Sequence, residues 1–310
     1  MTDPSADATL LELLAWLEAD GYAFVTPTPL THARILARDG HAPARDVRDA
    51  LGWSRDFAPD VLPRDVFRML QAAGMLEARG PLYRSRVRVS RVRGRLFLHS
   101  AYPTDDQDAV FLGPDSYRFA DLVARELPTI PVGPIADVGG GAGVGAITAG
   151  GLAASRLLLT DVNPRALRLA RLNAAHAHVQ LEVLEADGLD GAPDGLGVVI
   201  ANPPYIADAD QTYASGGRRT GGELSLAWTR AALEKLAPGG RLILYTGSAI
   251  GNGGRDALHE GLADIAATQG ADMDYRELDP DVFGEELERP AYAAVERIAA
   301  VACVMTAGRG

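Results

Sequence analysis

A glycine-rich turn follows a short apolar strand and precedes a helix near the middle of the chain, from Asp137 to Gly145. Glycine adopts backbone conformations that other residues avoid, so this turn can bend sharply and bring its amide groups close to a ligand. In open α/β sheets, ligands bind in the crevice beyond the carboxyl ends of the strands. The turn therefore predicts both a class of fold and the edge of the sheet where a ligand binds.

Strand and helix patterns alternate around and after this turn, which favours an α/β fold with a mainly parallel sheet. Seven segments have the length and apolar content of strands: 135–138, 156–160, 181–184, 197–201, 241–246, 273–278 and 298–306. We expect the last two strands to form an antiparallel end of the sheet.

The first hundred residues have a different pattern, of short helices followed by an antiparallel ribbon. Leucines at helical spacing between Leu10 and Leu17 predict the first helix, and a later helix around Val66 runs into Gly74. Period-two alternation around tight turns then predicts a ribbon over about 75–98.

A helix followed by such a ribbon resembles the helix-plus-wing half of a winged-helix domain. That module binds DNA in some proteins and forms dimers or caps an active site in others. We place the boundary in the aspartate-rich stretch after Ala101, which gives an N-terminal helical, winged-helix-like domain at 1–104 and an α/β domain at 105–310. A homodimer through the N-terminal domain is compatible with this organisation.

Composition narrows the class of protein. Of 310 residues, 47% are hydrophobic and 23% are charged, as in ordinary folded domains. The net charge of −11 argues against a protein that coats nucleic acid by bulk charge, although a local basic site stays compatible with it. The sequence predicts no membrane helix and no signal peptide. Because Cys303 is the single cysteine, we expect no internal disulfide and a cytoplasmic location. The histidines form no metal-binding pattern, so we expect no metal.

The spacing of the glycines indicates the type of ligand. A dinucleotide fingerprint, G-x-G-x-x-G, would need its third glycine where Val144 stands. The chain instead has D-x-G-x-G-x-G, formed by Asp137, Gly139, Gly141 and Gly143. This resembles motif I of class I methyltransferases that use S-adenosylmethionine. The resemblance implies a Rossmann-like seven-stranded methyltransferase domain, with these four residues at the cofactor.

Two more acidic residues stand where strands end. Asp161 closes the second strand of the α/β region, and a carboxylate there can accept hydrogen bonds from ribose hydroxyls. Asp187 follows the third strand, where it could meet the exocyclic amine of adenine. Both are predicted cofactor-binding residues.

The fourth strand leads directly into Asn202-Pro203-Pro204-Tyr205. This N-P-P-Y resembles the signature of methyltransferases that modify a planar nitrogen, either a glutamine amide or an exocyclic amine of a base. Such a nitrogen has a delocalised lone pair, so its NH₂ must be held in a suitable orientation and met by acceptors.

We predict that these four residues are catalytic. The side-chain oxygen of Asn202 and the carbonyl of Pro203 can accept the two hydrogens of the NH₂ group, and Asn202 also lies at the cofactor. The two prolines fix the backbone torsions, and Tyr205 offers a ring face to the planar group.

The segment Gly113 to Phe119 resembles the stretch before motif I in the release-factor glutamine methyltransferase family. On that resemblance, Ser116 reaches the methionine moiety of the cofactor and Tyr117 lines the substrate pocket. Residues 216–222 resemble the "GG-R" loop of the same family and could close over a substrate.

The methyl acceptor stays open between two chemical classes. We place a glutamine side chain of a release factor or ribosomal protein first. An exocyclic amine of an rRNA or DNA base is the alternative, because the first hundred residues do not match the bundle of bacterial release-factor methyltransferases. A third, non-enzymatic interpretation is a winged-helix regulator with a cofactor-sensing domain, against which the intact N-P-P-Y argues.

An arginine-rich ribbon favours nucleic acid. Six arginines and no acidic residue lie between Pro81 and Ser100. Arginines at spacing two share one face of a strand and could follow phosphates, so we predict substrate contacts for Arg86, Arg88 and Arg91. The same stripe could instead be a solvated face or contact the acidic domain.

Overall fold

The computed structural model describes residues 4–206 and 222–308. Its N-terminal part consists of α1 (Pro4–Ala19), α2 (Pro29–Arg38), α3 (Val47–Leu51), α4 (Arg64–Ala72), β1 (Leu76–Arg79), β2 (Leu82–Ser85), β3 (Val87–Val92) and β4 (Arg95–Ser100). The rest consists of α5 (Pro114–Glu126), β5 (Ile135–Val138), α6 (Val144–Gly150), β6 (Leu157–Asp161), α7 (Pro164–His176), β7 (Glu182–Glu185), β8 (Leu196–Ala201), α8 (Gly222–Lys235), β9 (Leu236–Gly251), β10 (Arg255–Asp256), α9 (Ala257–Gln269), β11 (Asp272–Asp279) and β12 (Val295–Thr306), with 3₁₀ turns at Gly284–Glu288 and Pro290–Tyr292.

The main sheet has the strand order β11-β12-β9-β8-β5-β6-β7, with the short β10 paired to β9. The strands from β9 to β7 are parallel, and β12 runs antiparallel to both β9 and β11. The predicted Rossmann-like α/β class and its antiparallel end are confirmed. The chain reverses its direction of winding at β5, and such a switch point opens a crevice beyond the carboxyl ends of β5 and β8.

The buried apolar strands form as the sequence predicts. All residues of β5 and β8 are buried, as expected of central parallel strands covered by helices on both faces. Strand β9 is longer than the predicted 241–246. Its extension past residue 246 follows from its partner, because β12 pairs with it from Arg241 to Gly251, and its first residue, Leu236, pairs with Leu196 of β8.

The predicted ribbon consists of two separate two-stranded sheets, β1–β2 and β3–β4. The strand conformation is interrupted between them at Arg86, whose amide donates to the Met75 carbonyl. Helix α4 precedes the first hairpin, in the order from which a winged-helix-like domain is predicted. That interpretation stays a prediction.

One hydrophobic cluster contains residues from both sides of the predicted boundary at 104/105. Leu14 of α1 and Phe97 of β4 belong to it, as do Ile147 of α6 and Leu169 of α7. Between Leu172 and Ala174, which also belong to this cluster, the side chain of Asn173 is fully buried. The Oδ1 of Asn173 accepts from the Leu98 amide over 2.8 Å, and its Nδ2 donates to the carbonyls of Leu98 and Ala142 over 3.0 and 2.9 Å. The first hundred residues therefore share a core with the α/β part.

None of the helices in the described ranges is both long and apolar enough to cross a membrane.

Candidate active site

A crevice of about 560 Å³ opens at the carboxyl ends of β5, β6 and β8. Most of the predicted cofactor and catalytic residues line it: Ser116, Asp137, Gly139, Gly141, Asp161, Asp187, Asn202, Pro203, Pro204 and Tyr205. Gly143 lies just outside, as the N-cap of α6 with φ of 83°. The topology thus brings together residues from five separate segments of the chain.

The glycine turn closely approaches a tryptophan. Gly139 and Gly141 have φ of 61° and 55°, in the left-handed region that favours glycine. A β-carbon at Gly139 would lie 2.3 Å from the ring of Trp228, whereas one at Gly141 would meet no atom within 4 Å. Gly139 is therefore required for packing, and Gly141 leaves open space on the side of the crevice.

Asp137 connects the first strand to helix α6. Its Oδ2 accepts from the Ala146 amide over 2.7 Å, while its Oδ1 is buried with no hydrogen-bond partner among the described residues. Burial raises the pKa of Asp137 to about 7. The carboxyl group thus holds the first turn of α6 and keeps one oxygen unpaired at the crevice wall.

Asp161 organises the glycine turn from the second strand. Its Oδ2 accepts from the Gly141 amide and its Oδ1 from the Asn163 amide, both over 2.9 Å. The residue lines the crevice although it is only 2% exposed. Asp187, by contrast, is exposed at the rim. The contacts of both residues with ribose and adenine stay predictions.

The N-P-P-Y residues lie at the end of β8, in the wall of the crevice. Asn202 is partly exposed, and within the described residues its side chain makes no hydrogen bond. Tyr205 is buried, with its ring so close to Gly247 that a β-carbon there would lie 2.1 Å from it. The Tyr205 ring also meets Phe283 edge to face, with 6.0 Å between centroids.

A buried carboxylate fixes the hydroxyl of Tyr205. Asp115, at the start of α5, accepts from Tyr205 over 2.7 Å and from Tyr245 over 2.6 Å. Arg118 lies 3.4 Å from the same carboxylate and 2.8 Å from Asp279. Burial, followed by the nearby Asp115, raises the pKa of Tyr205 well above its usual value. Both tyrosines therefore stay protonated and donate.

Two neighbours on α5 have different surroundings. Ser116 lines the crevice, and its hydroxyl accepts from the Gly113 amide over 3.3 Å. The prediction that Tyr117 lines the same pocket is wrong. One residue further along a helix points about 100° away, and the Tyr117 hydroxyl accepts from the Thr26 amide in the N-terminal part.

The prediction that Arg86, Arg88 and Arg91 form one phosphate-following face is also wrong. Arg86 lies between β2 and β3 and belongs to neither strand, so the three arginines do not share one strand face. Of the three, Arg86 alone is exposed. Arg88 is buried at 3% exposure. Arg91 donates to the carbonyls of Tyr22 and Gly94 and to Glu18.

Sequence reasoning missed several residues of the crevice wall. Trp228 lines the crevice but has no motif around it. Tyr245 is not among the lining residues and contributes through its hydrogen bond to Asp115. The N-terminal part reaches the rim as well, through Pro29 and Thr104, and the 40% exposed Phe111 lies beside them in the segment before α5. The glycine turn predicts a close approach to its backbone, but no sequence pattern identifies Trp228 as the residue that makes it.

Two other sequence predictions concern metals and the glycine-arginine loop. No group of three potential metal ligands occurs in the parts of the chain that the structure describes. Of the loop at 216–222, residues 216–221 lie outside the described residues, and Gly222 begins α8.

Comparisons with known proteins agree with this geometry. Residues 118–253 match the family model "Methyltransferase small domain". The ribosomal RNA small subunit methyltransferase C of Pseudomonas aeruginosa is 37% identical over 132 residues, which are 42% of this chain and 37% of that protein. The release factor glutamine methyltransferase of Deinococcus radiodurans is 29% identical over 174 residues, which are 52% of this chain and 62% of that protein. The chain thus spans less than two thirds of these relatives.

A solved structure shows the same fold at low sequence identity. TYW2 from Pyrococcus horikoshii, in complex with MeSAdo, has a TM-score of 0.52 and 11% identity, and the match covers 80% of this chain and 83% of that one. The family match spans both the glycine turn and the N-P-P-Y. Residues 118–253, which hold both motifs, are therefore similar in sequence to the methyltransferase small domain, and the chain shares its fold with a methyltransferase-like solved structure.

Proposed function

We propose that the protein transfers a methyl group from S-adenosylmethionine to a planar nitrogen, and that the acceptor is an exocyclic amine of an RNA base. The observation that carries the reaction is the position of Asn202 and Pro203 in the wall of the crevice, beside the glycine turn. The acceptor is a separate step of the proposal.

The crevice fits the cofactor. Its volume of about 560 Å³ is typical of pockets for ligands of that size. The open space beside Gly141 lets a ligand approach the backbone closely, and the unpaired Oδ1 of Asp137 offers a buried polar contact. Asp161 and the exposed Asp187 provide carboxylates at the positions where the ribose and adenine would bind.

When bound, the cofactor supplies an electrophilic methyl group on a sulfonium. The protein's part is to orient the nitrogen that attacks it. The side-chain oxygen of Asn202, which makes no hydrogen bond within the described residues, can accept one hydrogen of the NH₂ group, and the Pro203 carbonyl can accept the other. Both acceptors meet the positive charge that develops on the nitrogen. The two prolines restrict the backbone, so the acceptors need little rearrangement.

Tyr205 acts as part of the wall and not as a base. Its hydroxyl donates to Asp115, and its raised pKa keeps it protonated. No strong base is needed, because the amine becomes acidic only as the new bond forms, and the proton then leaves to water.

One observation favours an RNA base as the acceptor, and a second concerns the surface that any acceptor would meet. The relatives named ribosomal RNA small subunit methyltransferase C reach 37% identity over the domain, above the 29% of the release-factor enzyme. The N-terminal part also lines the crevice through Pro29 and Thr104, so an acceptor entering there meets surface from outside the family match.

A protein glutamine amide is the second candidate, favoured by the Deinococcus radiodurans relative, whose match covers more of this chain. The experiment that separates the two is methyl transfer from labelled S-adenosylmethionine into a cell lysate, treated afterwards with nuclease or with protease. Label that nuclease removes supports the RNA base. Label that only protease removes supports the glutamine amide and overturns our choice of acceptor.

A further inference from the structure

A small enclosed pocket lies behind the wall of the crevice, between α2 and the β3–β4 ribbon. Three of its lining residues also line the crevice: Pro29, Thr104 and Phe111. Its polar lining includes Arg88, His99 and His32. The pocket volume of about 10 Å³ has room for one water-sized group, such as a single oxygen. The pocket therefore shares part of its wall with the crevice in which the reaction is proposed.

Arg88 brings an unpaired positive charge into this pocket. It is 3% exposed, its Nε is buried without a partner, and no hydrogen bond or ion pair joins its guanidinium to any residue in the described ranges. Burial lowers the pKa of Arg88 to about 10, so it stays charged at neutral pH. A buried charge without a partner is strongly unfavourable.

Other arginines of the ribbon show that this is exceptional. Arg84 pairs with Asp56, and Arg93 pairs with Asp121. Arg95 donates to the Ile147 carbonyl. These side chains are satisfied within the protein, whereas the charge of Arg88 is not.

The other polar groups of the pocket add no charge. His99 is the cross-strand partner of Arg88, and its Nε2 bonds the Ser90 hydroxyl over 2.8 Å. His32 bonds the Trp53 carbonyl over 2.8 Å and stacks on Tyr102. Burial lowers the pKa of His99, and it lowers that of His32 to about 4, so both rings are neutral. No carboxylate is among the lining residues.

We propose that Arg88 binds one phosphate oxygen of the nucleotide whose base lies in the crevice. This inference rests on the proposed function and names the part of the substrate that the N-terminal region recognises. A phosphate oxygen carries the negative charge that would pair with the Arg88 guanidinium. The pocket has room for one such oxygen. Free phosphate has the same chemistry, so the experiment separates the two sources.

The test compares Arg88→Met with Arg171→Met, a control at an exposed arginine of α7 that lines neither pocket. Binding of a single-stranded RNA oligonucleotide is measured by fluorescence anisotropy over a series of salt concentrations. We expect Arg88→Met to weaken binding about 10-fold and to reduce the slope of log K against log salt by about 0.7, the value for one lost phosphate contact. The control should keep both.

Thermal unfolding of each variant distinguishes a lost phosphate contact from a loss of stability. Removing an unpaired buried charge should leave the melting temperature of Arg88→Met unchanged or higher. If that variant does not fold, Arg88→Gln replaces it, and Arg88→Lys, which keeps the charge, should keep the salt slope of the parent protein.

Four results would overturn the inference. The first is that Arg88→Met binds RNA with unchanged affinity and with an unchanged slope of log K against log salt. This result would leave the proposed function intact. An equal loss of affinity for S-adenosylhomocysteine would assign Arg88 to the cofactor carboxylate. Inorganic phosphate that stabilises the parent protein through Arg88, with RNA binding unaffected, would assign the pocket to free phosphate. If the parent protein binds no RNA at all, the proposed acceptor falls together with this inference.

Discussion

The Tyr205 hydroxyl donates a hydrogen bond of 2.7 Å to the buried carboxylate of Asp115, ninety residues earlier in the chain. Asp115 lies in the first turn of α5, and Tyr205 ends the N-P-P-Y. The segment before the glycine turn therefore positions the last residue of the motif that follows β8. Tyr245, from β9, donates to the other oxygen of the same carboxylate.

This pair of tyrosines allows a matched test. Tyr205→Phe and Tyr245→Phe each remove one donor to Asp115, so we expect each to lower the free energy of unfolding by about 1–3 kcal/mol, measured by urea titration. We expect only Tyr205→Phe to lower kcat, because only Tyr205 belongs to the motif that orients the acceptor. Equal losses of kcat in both variants would mean that Asp115 acts through general stability alone.

Replacing Asn202 should separate cofactor binding from turnover. Asn202→Ala removes one acceptor for the NH₂ group, and we expect turnover to fall about 100-fold or more, as for other lost groups that stabilise developing charge. The affinity for S-adenosylhomocysteine, measured by calorimetry, should change little. Asn202→Asp keeps an acceptor oxygen and should keep more activity than Asn202→Ala. Unchanged turnover in Asn202→Ala would remove Asn202 from the mechanism.

The glycine turn should respond differently at two neighbouring positions. Gly139→Ala introduces a β-carbon 2.3 Å from Trp228, so we expect a clear drop in melting temperature, partly restored by adding Trp228→Leu. Gly141→Ala meets no atom and has only backbone strain of about 1 kcal/mol, but its methyl group enters the crevice. Gly141→Ala should therefore weaken cofactor binding more than it lowers stability. Similar effects of the two substitutions on stability would contradict this packing.

Asp137 predicts a pH dependence of stability. Its folded-state pKa of about 7 lies above the value of about 3.9 for an unfolded chain, so the folded state binds the proton more tightly. The contribution is complete below about pH 4 and is lost as the pH rises through 7, for a total on the order of 4 kcal/mol.

The measurement is urea unfolding of the protein without cofactor at pH 5 and pH 8. Asp137→Asn keeps an acceptor for the Ala146 amide and cannot ionise, so its loss of stability between the two pH values should be smaller than that of the parent protein. An identical loss in both would show that Asp137 does not titrate in this range.

The sequence pattern correctly predicted the strands that position the site and the residues that directly follow them. The strand that ends at Val138 and the run that ends at Ala201 carry their own apolar signal, and the residues after them reach the crevice because parallel strands share an edge. The prediction that Tyr117 lines the pocket was wrong because the motif does not indicate which face of the helix points to the crevice. Trp228 and Tyr245 were missed because their roles come from contacts with distant segments, such as Gly139 and Asp115, which no short pattern contains.

The burial of Arg88 could not be predicted from its local sequence either. Its sequence context suggested a surface stripe, since alternation distinguishes the two faces of a strand but not which face is covered. The covering comes from α2 and the segment around Tyr102, which close over the arginine. A residue chosen for its charge thus lies in a different environment from the one that its spacing suggested.

The buried amide of Asn173 has a consequence for protein engineering. It bonds Leu98 in the β3–β4 ribbon and Ala142 in the glycine turn at the same time. A chimaera joined at 104/105, with its N-terminal half from a relative, would have to supply both the matching backbone at Leu98 and the apolar surface around it. The two parts therefore depend on each other for their core, and we expect substitutions at the rim, at Pro29 and Phe111, to disturb folding less than a grafted N-terminal part would.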